Sequence, residues 1–427
     1  MTTLITLLFI AGYAAIAFEH PLKINKTASA LLTGVLCWVV YILGSSNTDL
    51  VSEQLYEHLG QISGILFFLL GAMTIVELID AHDGFDVITS KIKTKDKRKL
   101  LWIISLVAFF LSAVLDNLTT TIVMVSLLRK LITDKETRLF YIGMVVIAAN
   151  AGGAWTPIGD VTTTMLWIGG QITTGNIMLK LFIPSLACLV VPLTLLSFRI
   201  RGKIENTVVE VKKDTNPTSN FERKLILGLG IGALIFVPVF KTITHLPPFL
   251  GILFGLGILW VVTELIHKNK NDADKDVYSV VHALRKADTP SVLFFLGILV
   301  AISALESTHL LSDLATQMDN KIGNINIIVI SIGLLSAIID NVPLVAATMG
   351  MYDMQTYPTD HYFWEFIAYC AGTGGSCLII GSAAGVAAMG MEKIDFFWYV
   401  KRIAGLALLG YFAGALVYMA QHYLLHL

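Results

Sequence analysis

The sequence predicts an all-α polytopic membrane protein made of two inverted repeats, each with five crossings, one re-entrant hairpin and one broken helix. Three observations predict it. Hydrophobic residues make up 55% of the 427 and charged residues only 14%, with a mean hydropathy of +0.74, which lies outside the range of soluble domains. Ten stretches are long and apolar enough to cross a bilayer, while two longer ones carry Asp-Asn near the middle. Short strings also recur in the same order at nearly constant offset, the mark of an internal duplication.

The crossings are expected at 2–18, 27–44, 62–80, 140–168, 176–198, 223–240, 247–266, 290–306, 363–391 and 395–424. The first runs into Glu19-His20-Pro21 without a basic leader or a small-residue cleavage site, so it reads as a membrane helix and not as a signal peptide. The stretches 99–131 and 323–351 are too long for one crossing; interrupted at Asp116-Asn117 and Asp340-Asn341, they read as hairpins entering and leaving on one side. LSAVLDN at 111–117 matches LSAIIDN at 335–341, Phe67-Phe68 matches Phe294-Phe295, and Gly152-Gly153 matches Gly374-Gly375, at offsets of 224, 227 and 222. Residues 1–198 and 223–427 thus form the expected repeats, joined by a cytoplasmic linker at 199–222. Five crossings per repeat is odd, so the second copy enters the membrane upside down.

Charge tests the crossing count independently. With ten crossings, all of the 30 Lys and Arg except Lys180, Lys241 and Lys321 fall on one side. By the positive-inside rule that side is cytoplasmic. Both termini are then periplasmic in a bacterial inner membrane, and the hairpins approach the midplane from opposite faces.

An ionisable or polar group in the middle of an apolar stretch is costly and marks a functional site by default. The hairpin tips supply Ser112, Asp116 and Asn117 in one half and Ser336, Asp340 and Asn341 in the other. Asp-Asn could simply cap the second arm of each hairpin; recurrence in both halves favours a shared site with capping as a second role. The crossing after the first hairpin reads NAGGAWTPIGDVTTT at 150–164, with glycines and a proline that a helix does not carry through. Such a break exposes carbonyls and half-helix ends able to replace the hydration shell of a small cation. Asn150, Thr156, Asp160, Thr162 and Thr163 add side-chain oxygens there, whereas GTGGSCLIIGS at 372–382 keeps glycines without a carboxylate. The expected site is symmetric in backbone and asymmetric in charge.

Carboxylate, hydroxyl and carbonyl oxygens suit a hard cation such as Na+, and three midmembrane aspartates oppose an anion. A carboxylate that binds either Na+ or H+ makes the ions competitors, which suffices for exchange; Asp116 and Asp160 lead, then Asp340. Glu77 and Glu306, each late in the helix before a hairpin, are a second repeated pair, read as near-interface acids or a proton relay. Histidines such as His58, His82, His245 and His309 fall at expected helix ends and read as solvated. The four cysteines lie in apolar stretches without metal-ligand spacing, so packing is expected, with no disulfide, cofactor or resident metal.

FEHPLKINKTASALL at 18–32, SAVLDNLTTTIVM at 112–124 and NAGGAWTPIGDVTTTMLW at 150–167 resemble the NhaD-type sodium/proton antiporters, relatives of arsenite pumps and dicarboxylate carriers. The resemblance covers essentially the whole chain. It implies efflux of Na+ or Li+ driven by proton entry, a homodimer set among membrane lipids, and a transport site at Ser112, Asp116, Asn117, Asn150, Asp160, Thr162, Thr163, Ser336 and Asn341. Asp-Asn tips and Gly159-Asp160 depart from the dicarboxylate branch, arguing against a dicarboxylate substrate. Oxyanion or arsenite efflux and a passive cation channel are the competing classes. An intramembrane hydrolase is disfavoured, since Ser and His do not share a depth and no H-E-x-x-H occurs.

Overall fold

A computed structural model describes residues 1–92, 94–204, 218–268 and 270–425. The expected linker 199–222 lies largely outside them. Secondary structure among the described residues is helical, with a single isolated β-bridge between Asp96 and Lys203. Among the described residues, seven helices are long and apolar enough to cross a membrane: Lys26–Gly44, Thr48–Ala81, Thr174–Arg199, Asn220–Thr244, Pro248–Ile266, Thr289–Ser307 and Phe396–Leu424. The protein is a polytopic helical membrane protein. All four cysteines are free and buried, in keeping with a packing role.

Local capping sets many of the helix starts. Asn25 accepts from the Thr27 N–H at 2.8 Å, Asp96 from Lys99 at 2.8 Å and Asp134 from Thr137 at 2.8 Å, each satisfying an N–H that the first turn leaves open. The crossing expected at 62–80 is the C-terminal part of a 34-residue helix, Thr48–Ala81. Its first turns carry Asp49, Glu53 and Glu57, so hydropathy reports only the apolar remainder. Leu310–Ile322 is a further helix, unforeseen in the sequence, whose Leu311 and Ala315 are buried.

Each long apolar stretch folds as two helices meeting at Asp-Asn: Lys97–Ser112 with Asn117–Leu131, and Ile325–Leu335 with Asn341–Met351. The glycine-bearing crossings divide into Lys135–Gly153 and Val161–Ile168, and into Tyr362–Gly374 and Ala383–Glu392. Packing then crosses between the two parts of the chain. Asn117–Leu131 lies against Ala383–Glu392, and Asn341–Met351 against Val161–Ile168. Arg129 and Arg138 fasten the first of these contacts through buried Glu392, with Arg138 at 3.1 Å.

Equivalent contacts recur. Ser112 Oγ donates to the Ala149 carbonyl at 2.6 Å, and Ser336 Oγ to Ala371 at 2.8 Å. A Cβ on Gly152 would sit 2.1 Å from the Phe109 carbonyl oxygen, and one on Gly374 would sit 1.9 Å from that of Gly333. Only glycine allows this backbone approach, which explains why the Gly-Gly pairs appear in both strings.

At the ends of Thr48–Ala81 and Pro248–Ile266, outside the spans, His82 and His267 are buried, contrary to the solvated reading of His82. Their Nε2 atoms are 2.9 Å apart, their rings stack at 5.1 Å, and Tyr278 packs on both. His82 Nδ1 lies 2.7 Å from the Leu78 carbonyl and so carries the proton; a neutral His82 then accepts at Nε2 from His267. Burial lowers the pKa of His82 and lowers that of His267 to about 4. Because both folded values lie below the unfolded one, the stability held in this pair is present above about pH 6.5 and is lost as pH falls toward 4. We expect a lower melting temperature in detergent at pH 5 than at pH 7.5, and His267→Phe should remove most of that difference; an equal difference in the variant would place the acid sensitivity elsewhere.

Candidate functional site

Two helix starts, at Asn117 and Asn341, and two helix breaks bring their polar residues to one buried cluster. Asp160 precedes Val161–Ile168 as its N-cap, and its Oδ1 accepts from the Thr162 N–H at 2.9 Å and the Thr162 hydroxyl at 3.0 Å. Its Oδ2 accepts from Asn117 Nδ2 at 2.8 Å, and Asn341 Nδ2 stands 3.4 Å from the same oxygen. Asn150 joins the groups: its Oδ1 accepts from Asn117 at 3.0 Å, while its Nδ2 donates to Ser376 and Ser382, each at 2.9 Å. Asn117, Asn150, Asp160, Asn341, Ser376 and Ser382 are all buried. One carboxylate therefore sits among amides and hydroxyls drawn from both parts of the chain.

The remaining expected residues build the walls. Thr163 Oγ1 donates to the Asp160 carbonyl at 2.8 Å, and Thr156 Oγ1 to the Ala113 carbonyl at 2.7 Å, tying the first break to the first tip. Ser112 and Ser336 do the same from the two tips through Ala149 and Ala371.

Asp116 and Asp340 turn away from this cluster. Asp116 takes φ 136° and ψ 164°, a region that a residue with a side chain rarely occupies, and its oxygens accept from the Thr119 N–H at 2.7 Å and hydroxyl at 2.9 Å. Asp340 accepts from the Val342 N–H at 3.2 Å and pairs with Lys26 Nζ at 3.5 Å. Both cap their helices, so the capping role weighed for them in the sequence is real, and their asparagine neighbours are the ones that reach Asp160. Glu77 is part-buried and 3.7 Å from Lys286, whereas Glu306 is exposed beside Gly350; neither hydrogen-bonds to the Asp160 cluster. Glu365, a buried carboxylate outside the sequence-derived set, accepts from Tyr418 at 2.6 Å and from Asn176.

Ser376 and Ser382 were also absent from that set. Ser382 does have a sequence signal: it stands 222 residues after Asp160, and its Oγ accepts from the Gly385 N–H at 3.2 Å just as Asp160 caps its own half-helix. Outside the cluster, a cavity of about 2000 Å³ is lined in part by Glu19, Lys26, Asp80, Lys130, Arg223 and Lys286, and it reaches Leu118 and Thr119 beside the first tip.

Chemically, one buried carboxylate with amide and hydroxyl oxygens around it can hold a small dehydrated cation or a proton. The family described as citrate transporter matches residues 13–365. Sodium/proton antiporter 1 of Arabidopsis thaliana is 53% identical over 97% of this chain and 72% of its own length, and sodium/proton antiporter 2 of that plant 50% over 97% and 99%. Na(+)/H(+) antiporter NhaD of Alkalimonas amylolytica is 30% identical over 96% of this chain and 89% of its own length.

Proposed function

The chain belongs to the citrate transporter family, among the NhaD-type antiporters, and from that premise we propose that it exchanges Na+ or Li+ for H+, with Asp160 as the group the two ions share. The observation that carries this reading is the Asp160 cluster: a single buried carboxylate whose partners Asn117, Asn150, Thr162 and Asn341 can each turn an oxygen toward a cation. When Na+ enters, its charge replaces the hydrogen bonds that the amides donate. When it leaves, a proton neutralises the carboxylate in a setting that disfavours an isolated charge. Occupancy by one ion excludes the other, so a gradient of either drives the other. The family's description names citrate, but an anion would need cationic partners, and Lys26, the ammonium near the site, already faces Asp340.

The architecture proposed for this exchange has repeats at 1–198 and 223–427 in opposite orientation, re-entrant pairs at 99–131 and 323–351, and a cytoplasmic linker at 199–222. The one-sided Lys and Arg support termini on the face opposite the cytoplasm, the bacterial relatives support an inner membrane and periplasmic termini, and the large cavity then faces the cytoplasm. Asp116 and Asp340 act as caps that hold Asn117 and Asn341 in place. A homodimer embedded in membrane lipid completes the proposal.

Proteoliposomes carrying a pH-sensitive dye test it. Addition of Na+ or Li+ between pH 7 and 9.5 should collapse an imposed proton gradient, with K+ measured beside them. No signal with any of the three cations would overturn the proposal and make oxyanion efflux the next reading.

A further inference from the structure

Lys26 is the first residue of the helix Lys26–Gly44, and its surroundings fix where its ammonium goes. Its backbone N–H donates to Glu19 at 3.2 Å, Asn25 caps the helix through Thr27, and the Thr27 hydroxyl donates to the Pro290 carbonyl at 3.0 Å. From that base the side chain lines the large cavity and passes over the Phe294 ring, Nζ 4.4 Å from its centroid, to stand 3.5 Å from Asp340 Oδ2. Both side chains are part-buried, so their attraction is screened less than that of a surface pair. The next residue, Asn341, is the one that contacts Asp160.

The pair breaks the symmetry between the two tips. Asp116 stands where Asp340 stands in the other half, 224 residues earlier, yet its oxygens are held by the Thr119 N–H and hydroxyl and, among the described residues, by no ammonium. The two aspartates share their capping role, so capping alone does not account for a lysine at one of them. What differs is the charge: Asp340 is one residue from the cluster and Lys26 cancels its contribution to the field at Asp160, whereas that of Asp116 stands.

We propose that Lys26 is a specificity-determining residue, a tethered ammonium that neutralises Asp340 and so keeps one carboxylate charge from adding to the field at the Asp160 cluster, which favours a monovalent over a divalent cation. This rests on the reading of Asp160 as the cation site. Without the ammonium, Asp340 adds an uncompensated negative charge close to the bound ion, which favours a divalent cation such as Ca2+ more than a monovalent one. One extra charge at about 10 Å in an effective dielectric of about 20 changes cation affinity roughly tenfold.

The test is equilibrium binding of radiolabelled Na+ to the purified full-length protein, with unlabelled Ca2+ as competitor. Lys26→Gln should bind Na+ roughly tenfold more tightly than the parent and yield it to Ca2+ at concentrations that leave the parent's Na+ in place. Asp340→Asn, which leaves the ammonium without its partner, should shift affinity the other way by a similar factor. Lys26→Arg should behave as the parent, and the double variant K26Q/D340N should return to parental affinity. A purely structural role would reduce the amount of folded protein without these opposed shifts. Parental Na+ affinity in both Lys26→Gln and Asp340→Asn overturns this inference and leaves the proposed function standing. A folded parent that binds neither Na+ nor Li+ overturns both.

Discussion

Asp160→Asn should abolish cation-driven proton movement while leaving a folded protein in the membrane. A carboxylate in contact with a cation contributes several kcal/mol even at an effective dielectric of about 20, so the loss of exchange should be on the order of a hundredfold or more. The substitution also changes hydrogen bonding. Both oxygens of Asp160 face donors, from Thr162, Asn117 and Asn341, and an amide presents a donor to one set of them. An opposed buried donor costs about 1–3 kcal/mol, so a lower melting temperature is expected alongside lost function. Asp160→Glu keeps the charge but displaces it by one methylene, and should retain part of the exchange with altered Na+ affinity. Dye dequenching on reconstituted protein, with the melting temperature measured on the same preparation, separates the two effects. Parental exchange in Asp160→Asn would remove Asp160 from the mechanism.

The second large effect is expected at Asn150, the residue that spans the cluster. Asn150→Ala removes the acceptor of Asn117 and the donor to both Ser376 and Ser382, leaving three buried polar side chains short of a partner at once. At about 1–3 kcal/mol for an unsatisfied group, reduced where water enters the gap, the variant should be markedly less stable and lose most of its exchange. The double variant S376A/S382A, which removes the other ends of two of those bonds, should cost less than Asn150→Ala because it leaves the Asn117–Asn150 contact intact. Parental stability in Asn150→Ala would mean that the two parts of the chain are not coupled through this amide.

The features legible in the sequence are those where composition contradicts its surroundings. Asp-Asn within apolar runs located the two helix junctions, and Gly152-Gly153 with Pro157 located a helix break, because such residues are costly in an uninterrupted apolar helix. Composition does not tell which of two adjacent polar residues faces the centre. Asp116 and Asp340 looked like ligands by charge, but an N-cap aspartate folds back on its own helix, and this swings Asn117 and Asn341 inward. His82 and His267 are 185 residues apart, so no local pattern could announce that they bury each other. Lys26 was hidden for the same reason, being 314 residues from Asp340 and read as part of a loop.

The crosswise packing of Asn117–Leu131 on Ala383–Glu392 and of Asn341–Met351 on Val161–Ile168 bears on how such a chain can evolve. Each break packs on the tip of its own half and is completed by an arm from the other. If the halves descend from one ancestral segment, fusion acted as a ratchet, since after it neither copy could be discarded. It also freed the paired positions to diverge, because one acidic residue could serve both. On that descent, Asp160 opposite Ser382 is the form such a division would take, a single copy retaining the charge.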